Sequence, residues 1–229
     1  MSGAGDDVRI SGWVWRVGQA LLVPAFRLFL RLRASGRENV PAAGPTLIVS
    51  NHISYLDPPL IGAAALPRRT HFMAKAELFR IPLLGWAIRR LGAFPVVRGA
   101  ADREALRIAR ALLAAGEAVV MFPEGTRSPD GRLRPAFTGA GALALEPGVC
   151  VVPAAVWGSR GARGPVRVVF GRPVDLADLA SGPRSRRARE ATRRMMAAIA
   201  DLVPAAGGPP QVVPEGGPSL PGEERSRRP

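Results

Sequence analysis

Residues 46–59 read TLIVSNHISYLDPP, and this stretch joins a strand to a helix. The apolar run over residues 46–50 predicts a buried strand. Pro58 suits the first position of a helix and disfavours helical geometry at the residue before it, so a helix is predicted over residues 58–66 with Asp57 as its N-cap. A strand that turns directly into a helix is the building unit of an α/β sheet.

The turn between this strand and this helix carries a histidine and an aspartate. His52 is one of two histidines in the chain, and Asp57 follows it by five positions. Five positions are about 140° apart on a regular helix, so the two side chains meet only if the chain turns between them. An imidazole held by a carboxylate can act as a general base. The pair is therefore a candidate catalytic dyad. The alternative is an aspartate that only caps the helix and a histidine satisfied within the loop.

The chain of 229 residues has a formal net charge of +14, which predicts an anionic partner: nucleic acid, anionic lipid or a phosphorylated substrate. Lys75 is the only lysine, so a compositional preference for arginine is an alternative explanation. Nucleic acid is the least favoured partner, because no recognised binding motif is present and only one tyrosine and few other exposed-looking aromatic residues could stack on bases. The single cysteine, Cys150, lies in an apolar run and excludes an intramolecular disulfide and a thiolate metal cluster. With only two histidines, no metal site is expected.

Strand and helix patterns alternate through the middle of the chain. Residues 37–203 are therefore predicted to form one α/β domain, a mixed and largely parallel sheet flanked by helices. The predicted strands cover residues 46–50, 71–74, 93–97, 118–122, 149–157 and 166–170, and the predicted helices cover residues 58–66, 102–115 and 184–203, with a partly helical segment at 76–91. Pro153 lacks an N–H, which predicts a position at a sheet edge or bulge.

The two ends of the chain differ in composition from the middle. Residues 1–36 are predicted to form amphipathic helices that lie in a membrane interface, since Trp, Phe and Leu side chains alternate with a stripe of arginines. Pro24 is expected to divide this segment into two short helices. No run is long and uncharged enough to span a bilayer, and no signal-peptide pattern is present. The alternative is a helix packed on the core with its arginines in water. Residues 204–229 are predicted to be a disordered Pro/Gly-rich tail.

A second polar cluster, residues 122–128, follows a predicted strand. The backbone can approach an anion closely at Gly125, the hydroxyl of Thr126 lies beside it, and Arg127 can bind a phosphate with two parallel hydrogen bonds. These residues predict a compact anion site. The alternative is a tight turn with a surface arginine.

Four segments, residues 51–57, 94–99, 122–127 and 152–153, together resemble the ordered sequence blocks of the glycerolipid acyltransferases. The chain is most similar to the bacterial 1-acyl-sn-glycerol-3-phosphate acyltransferases, and the resemblance extends over about residues 37–175. It implies transfer of a fatty acyl group from acyl-CoA or acyl-carrier protein, as a co-substrate and with no cofactor, to the sn-2 hydroxyl of lysophosphatidic acid. The product is phosphatidic acid. It also implies a peripheral protein at the cytoplasmic face of the cell membrane, which contacts anionic lipid.

The same resemblance implies roles for individual residues. His52 would take the proton of the acceptor hydroxyl, and Asp57 would orient His52. The residues implied to hold the acceptor phosphate are Glu124, Gly125, Thr126 and Arg127, with Arg98 and Lys75 as further cations. The residues expected to support the site are Asn51, Pro123 and Pro153. One position departs from the family pattern, because Thr138 stands where relatives often have lysine.

Three other functions compete with this one. The first is an acyltransferase for another lysolipid or acyl acceptor, which would use the same four blocks. The second is a basic membrane-binding module without enzymatic activity. The third is a degenerate, inactive acyltransferase, against which the intact His52, Asp57, Glu124 and Arg127 argue.

Overall fold

The computed structural model describes residues 10–96, 102–161 and 165–214. Within these ranges, seven strands form one sheet with α-helices on both faces. The strands are β1 (Arg33–Ser35), β2 (Thr46–Ser50), β3 (Thr70–Lys75), β4 (Ala93–Val96), β5 (Ala118–Met121), β6 (Cys150–Trp157) and β7 (Arg167–Phe170). The helices are α1 (Gly12–Phe29), α2 (Asp57–Ala64), α3 (Pro82–Arg90), α4 (Arg103–Ala114), α5 (Gly139–Ala144) and α6 (Arg184–Leu202).

The sheet is mixed and largely parallel, as predicted. Its strand order is β1-β7-β6-β2-β5-β3-β4. The strands β2 to β6 all run in one direction, whereas β7 is antiparallel to β6 and β1 is parallel to β7. The carboxyl ends of the five parallel strands therefore meet at one edge of the sheet.

Alternate side chains of β2 enter two different hydrophobic cores. Leu47 and Val49 pack with α4, α5 and α6 on one face, and Ile48 packs with α1 and α2 on the other. From β2 the chain moves outward to β3 and β4, and it then returns through α4 to β5 and β6. Crossover connections between parallel strands are right-handed. When the chain reverses the direction in which it adds strands to the sheet, the connecting helices therefore lie on the opposite face. The loops after β2 and β5, which are neighbouring strands, consequently lead to opposite faces, and a crevice opens between them at the carboxyl edge.

The N-terminal segment differs from the prediction in two respects. Helix α1 continues through Pro24 without a break, so the prediction of two short helices is wrong. Val14 and Phe26 are buried on either side of the proline, and this packing outweighs the backbone hydrogen bond that the proline removes. Residues 33–35 form β1 of the main sheet, so the α/β domain begins before residue 37. In the described part of the chain, no helix has the length and apolar character to cross a bilayer.

The prediction of a disordered tail from residue 204 is wrong for residues 204–214. Ala206 is buried in the core that α6 covers, and the side-chain carbonyl of Gln211 accepts a hydrogen bond from the backbone N–H of Leu133 at 2.9 Å. A Cβ on Gly208 would lie 2.7 Å from the Trp157 ring, so the chain passes close to that side chain. Composition alone missed this segment because few of its residues are buried. Residues 215–229 lie outside the described residues.

The prediction for Pro153 also needs correction. Strand β6 lies inside the sheet, and its register with β2 and β7 is continuous, so Pro153 is at neither an edge strand nor a bulge. Its carbonyl accepts a hydrogen bond from the Gly171 N–H at 2.8 Å, just beyond the last paired residue of β7. The missing N–H therefore falls at the end of the antiparallel ladder, where it costs at most one bond.

Candidate active site

The crevice at the carboxyl edge collects polar side chains from four neighbouring strands. His52 and Asp57 follow β2, and Gly125 to Arg127 follow β5. Lys75 ends β3, and Ser159 follows β6. This is the position at which open parallel sheets bind ligands, because the loops there lead away to opposite faces.

The carboxylate of Asp57 is the most highly hydrogen-bonded group of the site. Its Oδ2 accepts from the backbone N–H groups of Ile53 and Ser54 at 2.6 and 2.7 Å and lies 2.9 Å from Nδ1 of His52. Its Oδ1 accepts from the hydroxyl of Ser159 at 2.6 Å. Asp57 is completely buried, and these donors compensate its charge. The predicted N-cap is wrong, since the N-cap is Leu56 and the Asp57 carboxylate turns back to the loop before the helix.

The imidazole of His52 is fixed on two sides. Its Nδ1 donates to the Asp57 carboxylate, which leaves the lone pair on Nε2. The ring stacks on Phe122, with the ring centroids 4.1 Å apart and the planes inclined by 23°. The His52 carbonyl accepts from the Ser128 N–H at 2.7 Å. A neutral imidazole held in one tautomer, with Nε2 as its basic atom, is suited to take a proton from a substrate hydroxyl.

Asn51 joins the end of β2 to β6. Its side-chain N–H₂ donates to the carbonyl of Val156 at 3.0 Å, and its side-chain oxygen accepts from the N–H of the same residue at 2.9 Å. This pair of bonds continues the β2–β6 ladder beyond its last backbone pair, Ser50 and Ala154. Asn51 thereby fixes the direction in which the chain leaves β2, as expected of a supporting residue.

Glu124 is buried and bonds to two loops through its carboxylate. Oε1 accepts from the backbone N–H of His52 and Oε2 accepts from that of Arg134, each at 3.0 Å. Burial raises the pKa of Glu124 to about 7, against the opposing effect of these two amide hydrogen bonds. The side chain is 1% exposed, so a direct contact with a bound phosphate is not available to it in this conformation. Its visible role is to hold the loop after β5 against the loop after β2.

Gly125, Thr126 and Arg127 form the exposed part of the turn. Gly125 has φ of +65°, and a Cβ there would lie 2.8 Å from the ring of Phe137, so the turn requires glycine. The guanidinium carbon of Arg127 lies 3.5 Å from the ring centroid of Tyr55, on the turn that also carries His52. The buried Nε of Arg127 has no protein partner within the described residues. Arg127 is thus held against the His52–Asp57 turn through Tyr55, and its Nε can still donate a hydrogen bond.

The other predicted site residues lie at different positions relative to the crevice. Lys75 ends β3 and pairs with Glu77 at 3.0 Å, two strands away from His52 in the sheet. Pro123 is buried, and its carbonyl accepts from the Phe137 N–H at 2.9 Å. Arg98 lies outside the described residues, so its predicted role is not addressed.

Ser159 and Tyr55 were missed by the sequence prediction. Ser159 follows β6 by two residues and is 2% exposed, and its hydroxyl bonds to Asp57 from 102 positions further along the chain. A serine near the end of a parallel strand was the available signal, but serines are common in turns and the signal alone is weak. Tyr55 lies between His52 and Asp57 and is 60% exposed. Its stacking with Arg127 depends on the neighbouring strand β5.

Two other reactive side chains are excluded from the site by their positions. Cys150 begins β6 and therefore lies at the opposite edge of the sheet, and burial raises the pKa of its thiol. His71 lies near the start of β3, and burial lowers its pKa, so it is neutral at pH 7. No group of metal-ligating side chains occurs in the part of the chain that the structure describes.

Comparison with known proteins places this geometry in a family. The family model described as "Acyltransferase" matches residues 31–157, which include the strands β2 to β6 and the whole His52–Asp57 turn. The chain belongs to this acyltransferase family. The family resemblance read from the four sequence segments is therefore confirmed.

Individual relatives match between 64% and 82% of the chain. The chain is similar to the 1-acyl-sn-glycerol-3-phosphate acyltransferase of Bacillus subtilis, with 30% identity over 78% of this chain and 93% of that protein. The crystal structure of the 1-acyl-sn-glycerophosphate acyltransferase of Thermotoga maritima superposes with a TM-score of 0.59 and 28% identity, covering 82% of each chain. The chloroplast 1-acyl-sn-glycerol-3-phosphate acyltransferase of Arabidopsis thaliana is 36% identical over 64% of this chain. This chain spans only 44% of the length of the Arabidopsis protein.

Proposed function

We propose that this protein transfers a fatty acyl group from acyl-CoA or acyl-carrier protein to the sn-2 hydroxyl of 1-acylglycerol-3-phosphate, which gives phosphatidic acid. The observation that carries this proposal is the buried His52–Asp57 pair, joined at the carboxyl edge to the Arg127 turn. It combines a base for an alcohol with a cation for a phosphate. The names of the Bacillus, Thermotoga and Arabidopsis relatives describe those proteins as acyltransferases of 1-acyl-sn-glycerol-3-phosphate, which supports this acceptor.

The proposed chemistry is a direct attack of the acceptor alcohol on the thioester. Nε2 of His52 takes the hydroxyl proton while the alcohol oxygen forms a bond to the thioester carbonyl carbon. The C–S bond of the resulting tetrahedral intermediate then breaks, and the proton on Nε2 passes to the leaving sulfur. Asp57 stabilises the imidazolium that exists between these two proton transfers. This route requires no acyl-enzyme, which agrees with Cys150 lying at the far edge of the sheet.

The acceptor phosphate is proposed to bind at the turn after β5. Arg127 supplies the charge and the exposed Thr126 supplies a hydroxyl. Gly125 allows the phosphate to approach the turn closely, because it has no side chain, while its own N–H donates to the Phe122 carbonyl at 3.0 Å. Glu124 supports this turn through its two amide hydrogen bonds instead of contacting the phosphate. Lys75, with its ammonium at the end of β3, is a further cation for the same phosphate or for the donor.

The protein is proposed to act at the cytoplasmic membrane surface. Helix α1 exposes Trp13, Leu21, Leu28 and Phe29, each by more than 60% of its surface, and Arg16 and Arg27 lie on the same helix. Arg31, which was expected to extend this arginine stripe, lies beyond the helix end. An apolar and aromatic surface with arginines is the pattern of a helix that lies in a lipid interface.

A second acceptor is favoured by one observation. The lyso-ornithine lipid O-acyltransferase of Pseudomonas aeruginosa is 39% identical to this chain, although over only 49% of it. An acceptor of this type carries no phosphate, so it would make little use of the Arg127 turn. A panel of acceptors that includes both classes separates the two possibilities.

The proposal is tested by turnover of purified protein with acyl-CoA and acyl-carrier-protein donors on several lysolipids, with products identified by mass. We expect phosphatidic acid from lysophosphatidic acid, and we expect His52→Ala to lower turnover by at least about 10²-fold while the protein remains folded. Near-normal turnover by the folded His52→Ala variant would contradict the assignment of His52 as the base. If lyso-ornithine lipid alone is acylated, the proposed acceptor is wrong and the proposed mechanism still holds.

A further inference from the structure

The exposed large apolar side chains of the described residues are concentrated in a few places. Besides those on α1, they lie at the start of α3 and on the active-site turn. Only Val212 lies elsewhere. The residues at α3 are Ile81, Leu83, Leu84 and Trp86, which are 40–79% exposed, and the residue on the active-site turn is Tyr55. The four residues at α3 lie within six positions of the chain, and an exposed apolar cluster of this kind marks a binding surface.

The packing of α3 fixes which of its side chains face outward. Gly85 is buried, and a Cβ at this position would lie 2.5 Å from the carbonyl oxygen of Phe79. The helix therefore lies too close to the preceding 3₁₀ turn, Ala76–Arg80, to rotate about its axis. Leu83 is two residues from Gly85, or about 200° around the helix, and so points away from the protein. The close contact between Gly85 and Phe79 therefore turns the apolar side chains of α3 outward.

The charges that flank the apolar residues of α3 are mainly positive, and Glu77 of the preceding turn is paired with Lys75 at 3.0 Å. Residues 78–101 contain four arginines and no aspartate or glutamate. The guanidinium of Arg89 lies 4.8 Å from the ring centroid of Phe79, and that of Arg90 lies 5.7 Å from the ring centroid of Trp86. Arginines beside aromatic rings at the border of an apolar surface are suited to the headgroup region of an anionic bilayer.

Helix α3 adjoins both α1 and the active-site edge. The Ser11 N–H, at the start of α1, donates to the carbonyl of Arg90 at 3.1 Å, and a Cβ on Gly18 would lie 2.8 Å from Leu91. At its other end, α3 is joined through the 3₁₀ turn to Lys75, the last residue of β3. The apolar residues that begin α3 therefore follow the edge at which His52 and Arg127 lie.

We infer that α3, with Ile81, Leu83, Leu84 and Trp86, is a second membrane-contacting element that binds bilayers containing anionic phospholipid. This inference rests on the proposed function and extends it, because it places the lipid surface beside the opening of the active-site crevice as well as along α1. A lysolipid can then reach His52 from the bilayer without first leaving it. Arg80, Arg89 and Arg90 supply the attraction to anionic headgroups.

A second copy of this chain is a less suitable occupant of the same surface. A two-fold contact brings the same patch of both copies together. The flanking arginines of α3 would then face one another without an acidic residue from residues 78–101 to offset them. An anionic membrane surface satisfies both the apolar side chains and these charges.

The test compares Leu83→Ser and Trp86→Ser with Val212→Ser, which removes an exposed apolar side chain of similar type outside this surface. Binding to vesicles of phosphatidylglycerol and phosphatidylcholine is measured by sedimentation, and folding by circular dichroism. We expect each α3 variant to bind roughly tenfold more weakly and Val212→Ser to bind like the unaltered protein. Raising the salt concentration should weaken the binding of the unaltered protein further.

Leu83 is 79% exposed, so its replacement leaves the fold intact and the comparison remains decisive if Trp86→Ser does not fold. Unchanged vesicle binding by Leu83→Ser overturns the inference. So does a change from dimer to monomer in analytical ultracentrifugation without a change in vesicle binding, because the surface would then be a contact between copies. Vesicle binding is measured without turnover, so it tests the inference about α3 alone. If the acyltransferase proposal is wrong, the unaltered protein forms no product with any acceptor.

Discussion

Removing the hydroxyl of Ser159 is the sharpest test of how the site works. Ser159→Ala deletes the 2.6 Å hydrogen bond to Oδ1 of Asp57 and leaves the contacts of Oδ2 with His52, Ile53 and Ser54 in place. A hydrogen bond to a charged group contributes about 1.5–3 kcal/mol. The bond holds the Asp57 carboxylate in place against His52, so at most this free energy is lost when the imidazolium forms, which corresponds to a fall in kcat of at most about 10- to 150-fold. KM should change little, because Ser159 is buried and does not reach the acceptor.

The measurement is steady-state turnover with the donor saturating and the acceptor varied. Thr46→Val is the matched control, since Thr46 is also buried and its hydroxyl donates to the Gly44 carbonyl at 3.1 Å, at the end of β2 opposite the site. Ser159→Thr retains a hydroxyl and should recover most of the lost kcat. The reasoning is refuted if Thr46→Val lowers kcat as much as Ser159→Ala does, or if Ser159→Ala raises KM and leaves kcat unchanged.

Two further predictions concern the turn after β5. Arg127→Ala should raise KM for lysophosphatidic acid by about 10- to 100-fold and raise KM for lyso-ornithine lipid clearly less, because the second acceptor offers a singly charged carboxylate instead of a phosphate. Equal losses for both acceptors in kinetic assays would show that Arg127 acts through Tyr55 on the His52 turn. For Glu124, the folded-state pKa of about 7 lies above the ordinary value of 4.5, so its protonation stabilises the fold fully below pH 4.5 and this contribution is lost as pH rises through 7. Denaturant titrations of the unaltered protein and of Glu124→Gln give the difference between their free energies of unfolding. This difference should fall by about 3 kcal/mol between pH 4.5 and pH 8. A difference that does not depend on pH would contradict the raised pKa of Glu124.

The elements that the sequence predicted well carry their signals locally. Residues 102–115 were predicted as a helix, and α4 spans Arg103–Ala114, with the Asp102 side chain accepting from the Ala105 N–H and Gly116 following at φ of +80°. Strand β2 was predicted at its observed bounds, because a short apolar run before a polar turn has few other interpretations. The boundaries of α6 differ from the prediction by one residue, since its apolar face repeats regularly.

The elements that were missed depend on partners distant in sequence. Strand β1 has three exposed residues, and it forms only because β7 is available to pair with it. Helix α5 consists almost wholly of Gly, Ala and Leu, so no polar face marks it. It is fixed by close packing on α6, where a Cβ on Gly141 would lie 2.4 Å from the Thr192 hydroxyl.

The sequence by itself determined the α/β architecture and the position of the Arg127 turn after a strand, and it gave the His52–Asp57 pair as a candidate that the structure decided. These depend on the spacing of neighbouring residues and on four segments that together identify the family. Only the tertiary structure decided that Ser159 holds the far oxygen of Asp57, that Glu124 joins two loops, and that α3 turns its apolar side chains outward. Each of these depends on where distant segments meet, and the meeting points follow from strand order and from packing distances, which no local pattern of residues encodes.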